Sequence, residues 1–370
     1  MTISSIDEQH LLSGQTWSTF CDHLKRCGEQ ILRPEAPADA ATRAEGFRYL
    51  TRLLRIGLEM HIEFADPAFP SFFKTSHETA KIGADNPDNL YEYSRLDGTL
   101  DYRIKGQRGS VAYLSFGTQK GGYETDGTLI QTGFIDASQL EVDAQGNFEI
   151  ILSREPKPGN WLKMEDATNA LIVRQTFLDR RIEAPAKLSI ERMGTDSKPQ
   201  ALDPATFQQG LARVSSFVEN TARLFADWSQ SYLPHSNQLP PANQALCQSV
   251  GGDPNIFYYH SHWALAADEA LVIHIDKVPD CDFWNLQINN YWMESLDYRH
   301  HQICFNKHQA QYDDNGGVTL VLSELDPGLS NWLQTAGVRQ GTMCLRWVGA
   351  QEQCHPTTQV VKVSAIAEAL

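Results

Sequence analysis

The chain has 370 residues, which is long enough for two domains or for one large domain with insertions. Its composition, 41% hydrophobic and 21% charged, is ordinary for a globular protein. Because 46 Asp and Glu outnumber 31 Lys and Arg, the net charge is −15, which argues against a protein that binds nucleic acids or anionic membranes through bulk positive charge.

Residues 1–65 have the pattern of helices. Phe20, Leu24 and Cys27 follow one another at intervals of three or four residues, which places them on one face of a helix. In residues 66–200 the pattern changes, because Pro, Gly and Asn separate short β-like runs about every ten residues. That spacing is typical of a sandwich or a barrel.

Residues 201–236 return to a helical pattern and form a connector. Asp203-Pro204 predicts the start of its helix, and Pro234 predicts its end. Residues 237–370 again contain strand-like runs. Together these elements predict an α+β fold that is mainly β, with two β-sandwich or jelly-roll-like units, each preceded by a helical segment.

An internal repeat favours the same two-unit organisation. Residues 143–162 match residues 313–333, and the shared positions include an Asn-Trp-Leu turn. Each copy then leads to an apolar strand that carries an arginine, Arg174 in the first copy and Arg346 in the second. We interpret the chain as two diverged copies of one β design.

A shorter match lies upstream of the repeat. Residues 100–103 and residues 296–299 both read Leu-Asp-Tyr-Arg. The Leu-Asp-Tyr-Arg segment lies further from the longer match in the first copy than in the second. This alignment therefore predicts an insertion in the first copy, across the Gly-rich segment 117–127. It also pairs Glu294 with Gly98, which singles out Glu294 as a difference between the copies.

The C-terminal half resembles a known family. It contains the strand end Trp-Met-Glu-Ser-Leu-Asp-Tyr at residues 292–298, the Asn-Trp-Leu turn at 331–333 and a closing Arg-Trp at 346–347. These motifs resemble the domain of unknown function called DUF1214, over roughly residues 250–350. In many relatives that domain follows a partner called DUF1254. The resemblance implies β-sandwich-like units with helices, with a diverged DUF1254-like N-terminal part, and it implies no particular reaction.

The seven cysteines are scattered, and no Cys-x-x-Cys pair occurs, so we expect neither a disulfide framework nor a zinc ribbon. The N-terminus lacks a basic region followed by an apolar run, which argues against a secretory signal. No stretch is long and apolar enough for a membrane helix. We therefore expect a cytoplasmic protein with no membrane or nucleic-acid partner, and leave a homo-oligomer open.

One predicted strand, at residues 283–292, carries polar and aromatic side chains on alternating sides. Asn285, Gln287 and Asn289 share one face, and Trp284 and Trp292 share the other. If the amides face solvent, they are simply hydrated. If they face inward, they line a polar ligand cavity, orient the ligand's polar groups, and leave a tryptophan to pack on its apolar body.

Candidate proton-transfer residues lie beside this strand. Glu294 and a nearby histidine, one of His260, His262 and His308, are the first choice. His260 and His262 are two positions apart, so they share a strand face. Glu294 and Asp297 form an alternative acid/base pair, although Asp297 and Arg299 also fit a structural ion pair. Two histidines and a carboxylate are compatible with a metal, but no metal-binding motif supports one, and we expect neither metal nor cofactor.

Further side chains are candidates for contacts with a ligand. Arg174, Arg339, Arg346 and Lys307 are possible members of an anion subsite, since arginine binds carboxylates with two hydrogen bonds. The alternative for Arg346 is a structural bond to Asp297 or to a nearby carbonyl. Two more ligand-contact candidates are Tyr298 and His308. The Gly-rich segment 117–127 reads as a mobile loop or a hairpin, suited to a lid over a pocket.

The leading functional hypothesis is an enzyme that acts on a lipophilic or amphiphilic small molecule by cofactor-free acid/base chemistry, of the hydrolase, hydro-lyase or isomerase type. A carbohydrate-active enzyme that uses Glu294 and Asp297 as its two carboxylates is the first alternative. The second alternative is a non-catalytic ligand-binding or assembly protein.

Overall fold

The computed structural model describes residues 6–194 and 198–369. The predicted segments 1–65, 66–200 and 237–370 therefore include residues 1–5, 195–197 and 370, which lie outside the described residues.

The N-terminal region consists of three helices, α1 (Ile6–Leu12), α2 (Gln15–Cys27) and α3 (Ala40–Leu58), and α3 continues into a π-helical turn at Glu59–Glu63. Helix α3 begins at Asp39, whose carboxylate accepts a hydrogen bond from the Thr42 N–H at 2.9 Å. The apolar side of α3 packs on the long connecting helix α4 (Pro204–Ser231). As predicted, α4 begins at Asp203 and Pro204, the cap and the first helical residue.

The first β unit contains eight strands in two four-stranded sheets. The strands are β1 (Asn89–Arg95), β2 (Tyr102–Gln107), β3 (Tyr113–Gly121), β4 (Leu129–Asp136), β5 (Asn147–Ser153), β6 (Trp161–Lys163), β7 (Ala170–Thr176) and β8 (Lys187–Arg192). One sheet has the order β1-β7-β3-β4 and the other β6-β5-β2-β8. The pairings are antiparallel except for the parallel pair β5–β6.

The second β unit repeats this arrangement strand for strand. A short helix α5 (Gln244–Ser249) precedes it, and helix α6 (Ile366–Ala369) follows it. The strands are β9 (Ile256–Ala264), β10 (Glu269–Ile275), β11 (Phe283–Asn289), β12 (Cys304–Asn306), β13 (Val318–Ser323), β14 (Trp332–Gln334), β15 (Gln340–Val348) and β16 (Thr357–Lys362). The sheet orders, β9-β15-β11-β12 and β14-β13-β10-β16, equal those of the first unit.

Each unit buries its own hydrophobic core between its two sheets. Phe116 and Leu152 lie in the first core, and Trp284 and Leu322 lie in the second. Side chains alternate between the two sides of a strand, so every second residue of β3, β7, β11 and β15 points away from these cores. The fold is therefore mainly β with α, and it contains two similar sandwich-like units, as the sequence predicted.

The strand correspondence corrects part of the predicted repeat. Arg174 in β7 and Arg346 in β15 are equivalent, as expected. The four-residue match upstream is wrong, because residues 100–103 lead into β2 whereas residues 296–299 follow β11. The first unit has no insertion; the connection from β3 to β4 is in fact shorter than that from β11 to β12.

The same correction applies to Glu294. Gly98 lies between β1 and β2, whereas Glu294 lies between β11 and β12, so the two are not counterparts. A match of only four residues was too short to establish the register between the copies. Among residues 6–194 and 198–369, no helix combines the length and the hydropathy needed to span a bilayer.

Candidate functional site: a cavity between the two units

The two units meet through the sheet of each that contains the repeat arginine. Arg174 lies opposite Tyr91 of β1, and Arg346 lies opposite Tyr258 of β9, in the same strand register. Both guanidinium groups point away from the core of their own unit. Each one reaches the loop that precedes the first strand of the other unit.

These arginine contacts are reciprocal. Arg346 Nη2 donates a hydrogen bond to the Ala84 carbonyl oxygen, in the loop before β1. Arg174 Nη2 donates to the Gly251 carbonyl oxygen, in the loop before β9. Ala84 precedes Tyr91 by the same number of residues as Gly251 precedes Tyr258, so the two acceptors are at equivalent positions. The predicted bond from Arg346 to a nearby carbonyl is therefore confirmed, and Arg174 makes its counterpart.

A second pair of contacts is reciprocal in the same way, with each unit binding the loop of the other. Asn285 Nδ2 donates to Asn86 Oδ1 at 2.6 Å, and Ser115 Oγ donates to Asp253 Oδ2 at 3.1 Å. Asn285 and Ser115 are the strand neighbours of Arg346 and Arg174. In each loop, one arginine binds a backbone carbonyl oxygen, and the residue that pairs with that arginine on the neighbouring strand binds a side chain of the same loop.

The loops themselves are built alike. The Asn86 N–H donates to Tyr91 Oη, and the Asp253 N–H donates to Tyr258 Oη, both at 3.0 Å. The sequence contains the corresponding signal, Asn-Pro or Asp-Pro followed four residues after the proline by tyrosine, which our sequence analysis missed. That signal would have placed Asn86 and Asp253 beside the site.

A cavity of about 170 Å³ lies where these faces meet. Its polar lining residues include Arg174, Arg346, Tyr91, Tyr258 and His260, and α4 contributes three aromatic residues to its apolar lining. The α4 residues are Phe217, Phe225 and Trp228. The cavity wall therefore combines two guanidinium groups, several hydroxyls and an imidazole with aromatic side chains, which suits an amphiphilic ligand.

Part of the Gly-rich segment also lines the cavity. Gly122, Tyr123 and Glu124 contribute to its wall. Tyr123 Oη donates to the Val250 carbonyl oxygen at 3.0 Å, which joins this segment to the loop before β9. Residues 117–121 of this segment belong to β3, so it is part of the β3–β4 hairpin. Its movement as a lid stays a prediction.

His260 is the only one of the predicted proton-transfer residues that lines this cavity. Its ring stacks between those of Tyr232 and Tyr258, with centroid distances of 5.7 and 6.0 Å. Its Nδ1 has no hydrogen-bond partner among the described residues, and its Nε2 lies 3.7 Å from Cys344 Sγ. Burial, aided by the positive charge of Arg346, lowers the pKa of His260 to about 3, so the imidazole is neutral at pH 7.

His262 shares the strand face of His260, as the spacing predicted, but it does not line the cavity. Its Nδ1 lies 2.9 Å from Ser236 Oγ. Burial lowers the pKa of His262 to about 4.

The three amides of β11 are fully buried between the units, neither solvated nor exposed to the cavity. Gln287 Oε1 accepts a hydrogen bond from Arg346 Nη1 at 2.6 Å, and Gln287 Nε2 donates to the Asp85 carbonyl at 2.8 Å. Asn289 Nδ2 donates to Thr342 Oγ1 at 3.1 Å. These amides therefore hold Arg346 and the loop before β1 in place.

Glu294 and Asp297 do not form a pair. Glu294 is fully buried, receives a hydrogen bond from Arg52 Nη1 at 2.6 Å and another from Asn290 Nδ2 at 2.9 Å, and contacts no histidine among the described residues. Burial raises its pKa, and Arg52 opposes that shift. Asp297 is partly exposed and binds Arg299 through both carboxylate oxygens, which lowers its pKa. The structural Asp297–Arg299 ion pair is the alternative that the structure confirms.

Four other predicted contact residues also lie outside the cavity. Trp284 lies in the core of the second unit, and Trp292 packs against the N-terminal helices. Lys307 Nζ donates to the Cys281 carbonyl, and Arg339 pairs with Glu324 on the surface.

Tyr298 and His308 line a separate open groove. Lys81 Nζ lies 4.9 Å from the centre of the Tyr298 ring, and His308 Nε2 lies 3.6 Å from Asp179 Oδ2. Within the part of the chain that the structure describes, no three His, Cys, Asp or Glu side chains are grouped as metal ligands would be.

The fold and the site define a duplicated β-sandwich protein with a ligand-sized cavity between its two units. A family described as "Protein of unknown function (DUF1214)" matches residues 260–352. The chain is 67% identical to a crystallised uncharacterized protein of Burkholderia cenocepacia, with a TM-score of 0.95, over 96% of this chain and 99% of that one. The chain belongs to the DUF1214 family.

A protein of Vibrio parahaemolyticus is a more distant structural match. It is 12% identical, with a TM-score of 0.49, over 86% of this chain and 98% of that one. No curated protein matches the sequence.

The neutral state of His260 predicts how stability depends on pH. The unfolded chain takes up a proton on this histidine below about pH 6.5, whereas the folded chain does so only near pH 3. Stability contributed by neutral His260 is therefore lost as pH falls through this window, by up to about 1.4 kcal/mol per pH unit. In urea titrations between pH 7 and 4.5, His260→Gln should reduce the slope of unfolding free energy against pH. The exposed control His300→Asn should retain the wild-type slope; an unchanged slope in His260→Gln would contradict the assignment.

Proposed function

We propose that this protein binds a small amphiphilic organic molecule in the cavity between its two units. The observation that carries the proposal is the combination, in one cavity, of paired arginines and tyrosines with the aromatic wall of α4. A net charge of −15 favours a small-molecule ligand over a nucleic acid or an anionic membrane. The free thiols of all seven cysteines are consistent with a reducing compartment, the cytoplasm being our proposal.

The volume of the cavity limits the size of the ligand. An engineered protein cavity of about 150 Å³ holds benzene, and this cavity is about 170 Å³. A ligand with one aromatic ring and a short polar group therefore fits, whereas a steroid or an oligosaccharide requires the cavity to open.

Filling part of the cavity should weaken binding without changing the fold. Ile172 lines the cavity from β7, so Ile172→Phe places a ring where the ligand body would lie. We expect the affinity for one-ring amphiphiles, measured by isothermal titration calorimetry, to fall by at least about ten-fold. Ile130→Phe, on an exposed strand position, is the matched control. Equal affinities of the two variants would place the binding site elsewhere.

A second candidate function is catalysis on this ligand by acid/base chemistry without a cofactor, of the hydrolase, hydro-lyase or isomerase type. The observation that favours it is the unpartnered Nδ1 of His260 in the cavity wall. Because its pKa is lowered to about 3, the neutral imidazole is a weak base but can donate a hydrogen bond that polarises a carbonyl oxygen of the ligand. The acid/base role that the sequence suggested for Glu294 moves in this proposal to His260, because Glu294 is bound to Arg52 outside the cavity.

Isotope incorporation separates an enzyme from a binding protein. Ligands that bind are incubated with the protein in D₂O and in H₂¹⁸O, and then analysed by mass spectrometry. An enzyme of this class incorporates solvent deuterium or ¹⁸O over many turnovers, and His260→Gln should bind the ligand but lose the incorporation. If the wild type incorporates neither isotope into any bound ligand, the non-catalytic binding protein is the better description.

The carbohydrate-active alternative lacks its two carboxylates in one site. Glu294 is buried against Arg52, and Asp297 is bound to Arg299 at the surface. Neither lines the cavity.

A further inference from the structure

The Arg346 guanidinium is a buried positive charge whose hydrogen-bond partners are neutral. It donates to the Ala84 carbonyl, to Gln287 Oε1 and to Asn285 Oδ1, and no carboxylate lies within ion-pair distance of it among the described residues. Only 5% of the residue is exposed. Carbonyl and amide oxygens solvate such a charge but do not neutralise it.

The positive charge of Arg174 is only slightly better compensated than that of Arg346. Its hydrogen bond goes to the Gly251 carbonyl, and the nearest carboxylate oxygen, Asp253 Oδ2, lies 4.0 Å from Nη1. That carboxylate also accepts hydrogen bonds from Ser115 and Tyr113. Both arginines border the same cavity, so its polar side carries positive charge.

Among the described residues, the acidic side chains in the cavity wall are Glu124 and Asp85, and both contact groups other than Arg346 and Arg174. Glu124 lies 3.9 Å from Arg95 Nη1. Asp85 accepts hydrogen bonds from the Ser295 N–H at 3.0 Å and from Ser295 Oγ at 2.8 Å. Lys81, also buried, adds a further positive charge near Asp85.

We propose that the ligand is a carboxylate with a single aromatic ring, whose carboxylate lies against the guanidinium groups of Arg346 and Arg174 and whose ring packs on Phe217, Phe225 and Trp228. This inference rests on the proposed function, since it names the chemical class that the cavity binds. A carboxylate accepts two hydrogen bonds from a guanidinium in one plane, and it supplies the charge that the carbonyl partners lack. The apolar wall of α4 removes the ring from water.

Matched ligands on the wild-type protein test this inference without any risk to the fold. Phenylacetate and phenylacetamide have nearly the same shape and differ in charge; benzylamine carries the opposite charge. By isothermal titration calorimetry at pH 7 we expect phenylacetate to bind about ten-fold or more tightly than the amide, and benzylamine to bind most weakly. Equal binding of acid and amide overturns the carboxylate assignment and leaves the proposed function standing. Absence of binding by all three overturns the proposed function as well.

Variants locate the carboxylate. Arg346→Gln, with folding checked by its thermal transition, should remove the preference for phenylacetate over phenylacetamide, while Arg346→Lys should retain part of it as a point charge. Arg339→Gln, at a surface arginine paired with Glu324, is the matched control and should leave the preference unchanged. A preference that persists in both Arg346→Gln and Arg174→Gln would overturn the assignment of these residues.

Discussion

The junction of the two units depends on one interaction made twice, the hydrogen bond from a buried arginine of one unit to a loop carbonyl of the other. Arg346 binds Ala84, and Arg174 binds Gly251. A buried guanidinium is costly unless its donors are satisfied, so these bonds constrain where each loop lies. Because each loop leads directly into β1 or β9, fixing the loop also fixes the edge strand that borders the cavity.

Duplication and divergence together produce the site. Equivalent strands supply the arginines and the tyrosines in pairs, so both units contribute the same chemistry to one cavity. One pair has diverged: His260 of β9 stands at the position that Tyr93 holds in β1. Among the described residues, the one imidazole in the cavity wall is therefore on the side of the second unit, and α4, which belongs to neither repeat, adds aromatic side chains to the wall.

Much of the fold was predictable because its signals are local. Hydrophobic periodicity identified the helices, the Asp203-Pro204 pair identified the start of α4, and the Pro, Gly and Asn residues between short runs identified the β texture of the first unit. The repeat correctly paired Arg174 with Arg346, since both follow a long match with few gaps. Glu294 was overvalued for the opposite reason, because a four-residue match assigned it a counterpart in a different part of the fold.

The partners of the buried amides could not be read from local sequence. Asn285 binds Asn86, which lies about half the chain length away, and nothing in the strand pattern of β11 specifies that contact. Alternation showed that Asn285, Gln287 and Asn289 share a face, but only the packing of the two units shows that this face is buried. The sequence signal that was available is the Asn-Pro or Asp-Pro motif followed by tyrosine, which occurs near the start of β1 and of β9. This motif identifies the loops as part of the site, but not the amides of β11.

Hydrogen–deuterium exchange in Arg346→Met and Arg174→Met tests the reciprocal junction most directly. If each arginine holds the other unit's loop, Arg346→Met increases amide exchange at residues 83–86, before β1, and Arg174→Met increases it at residues 250–253, before β9. In each variant, the amide exchange rate of the loop in the substituted arginine's own unit should change much less. If exchange rises only within the substituted unit, or in neither loop, the two units are not held together by these contacts.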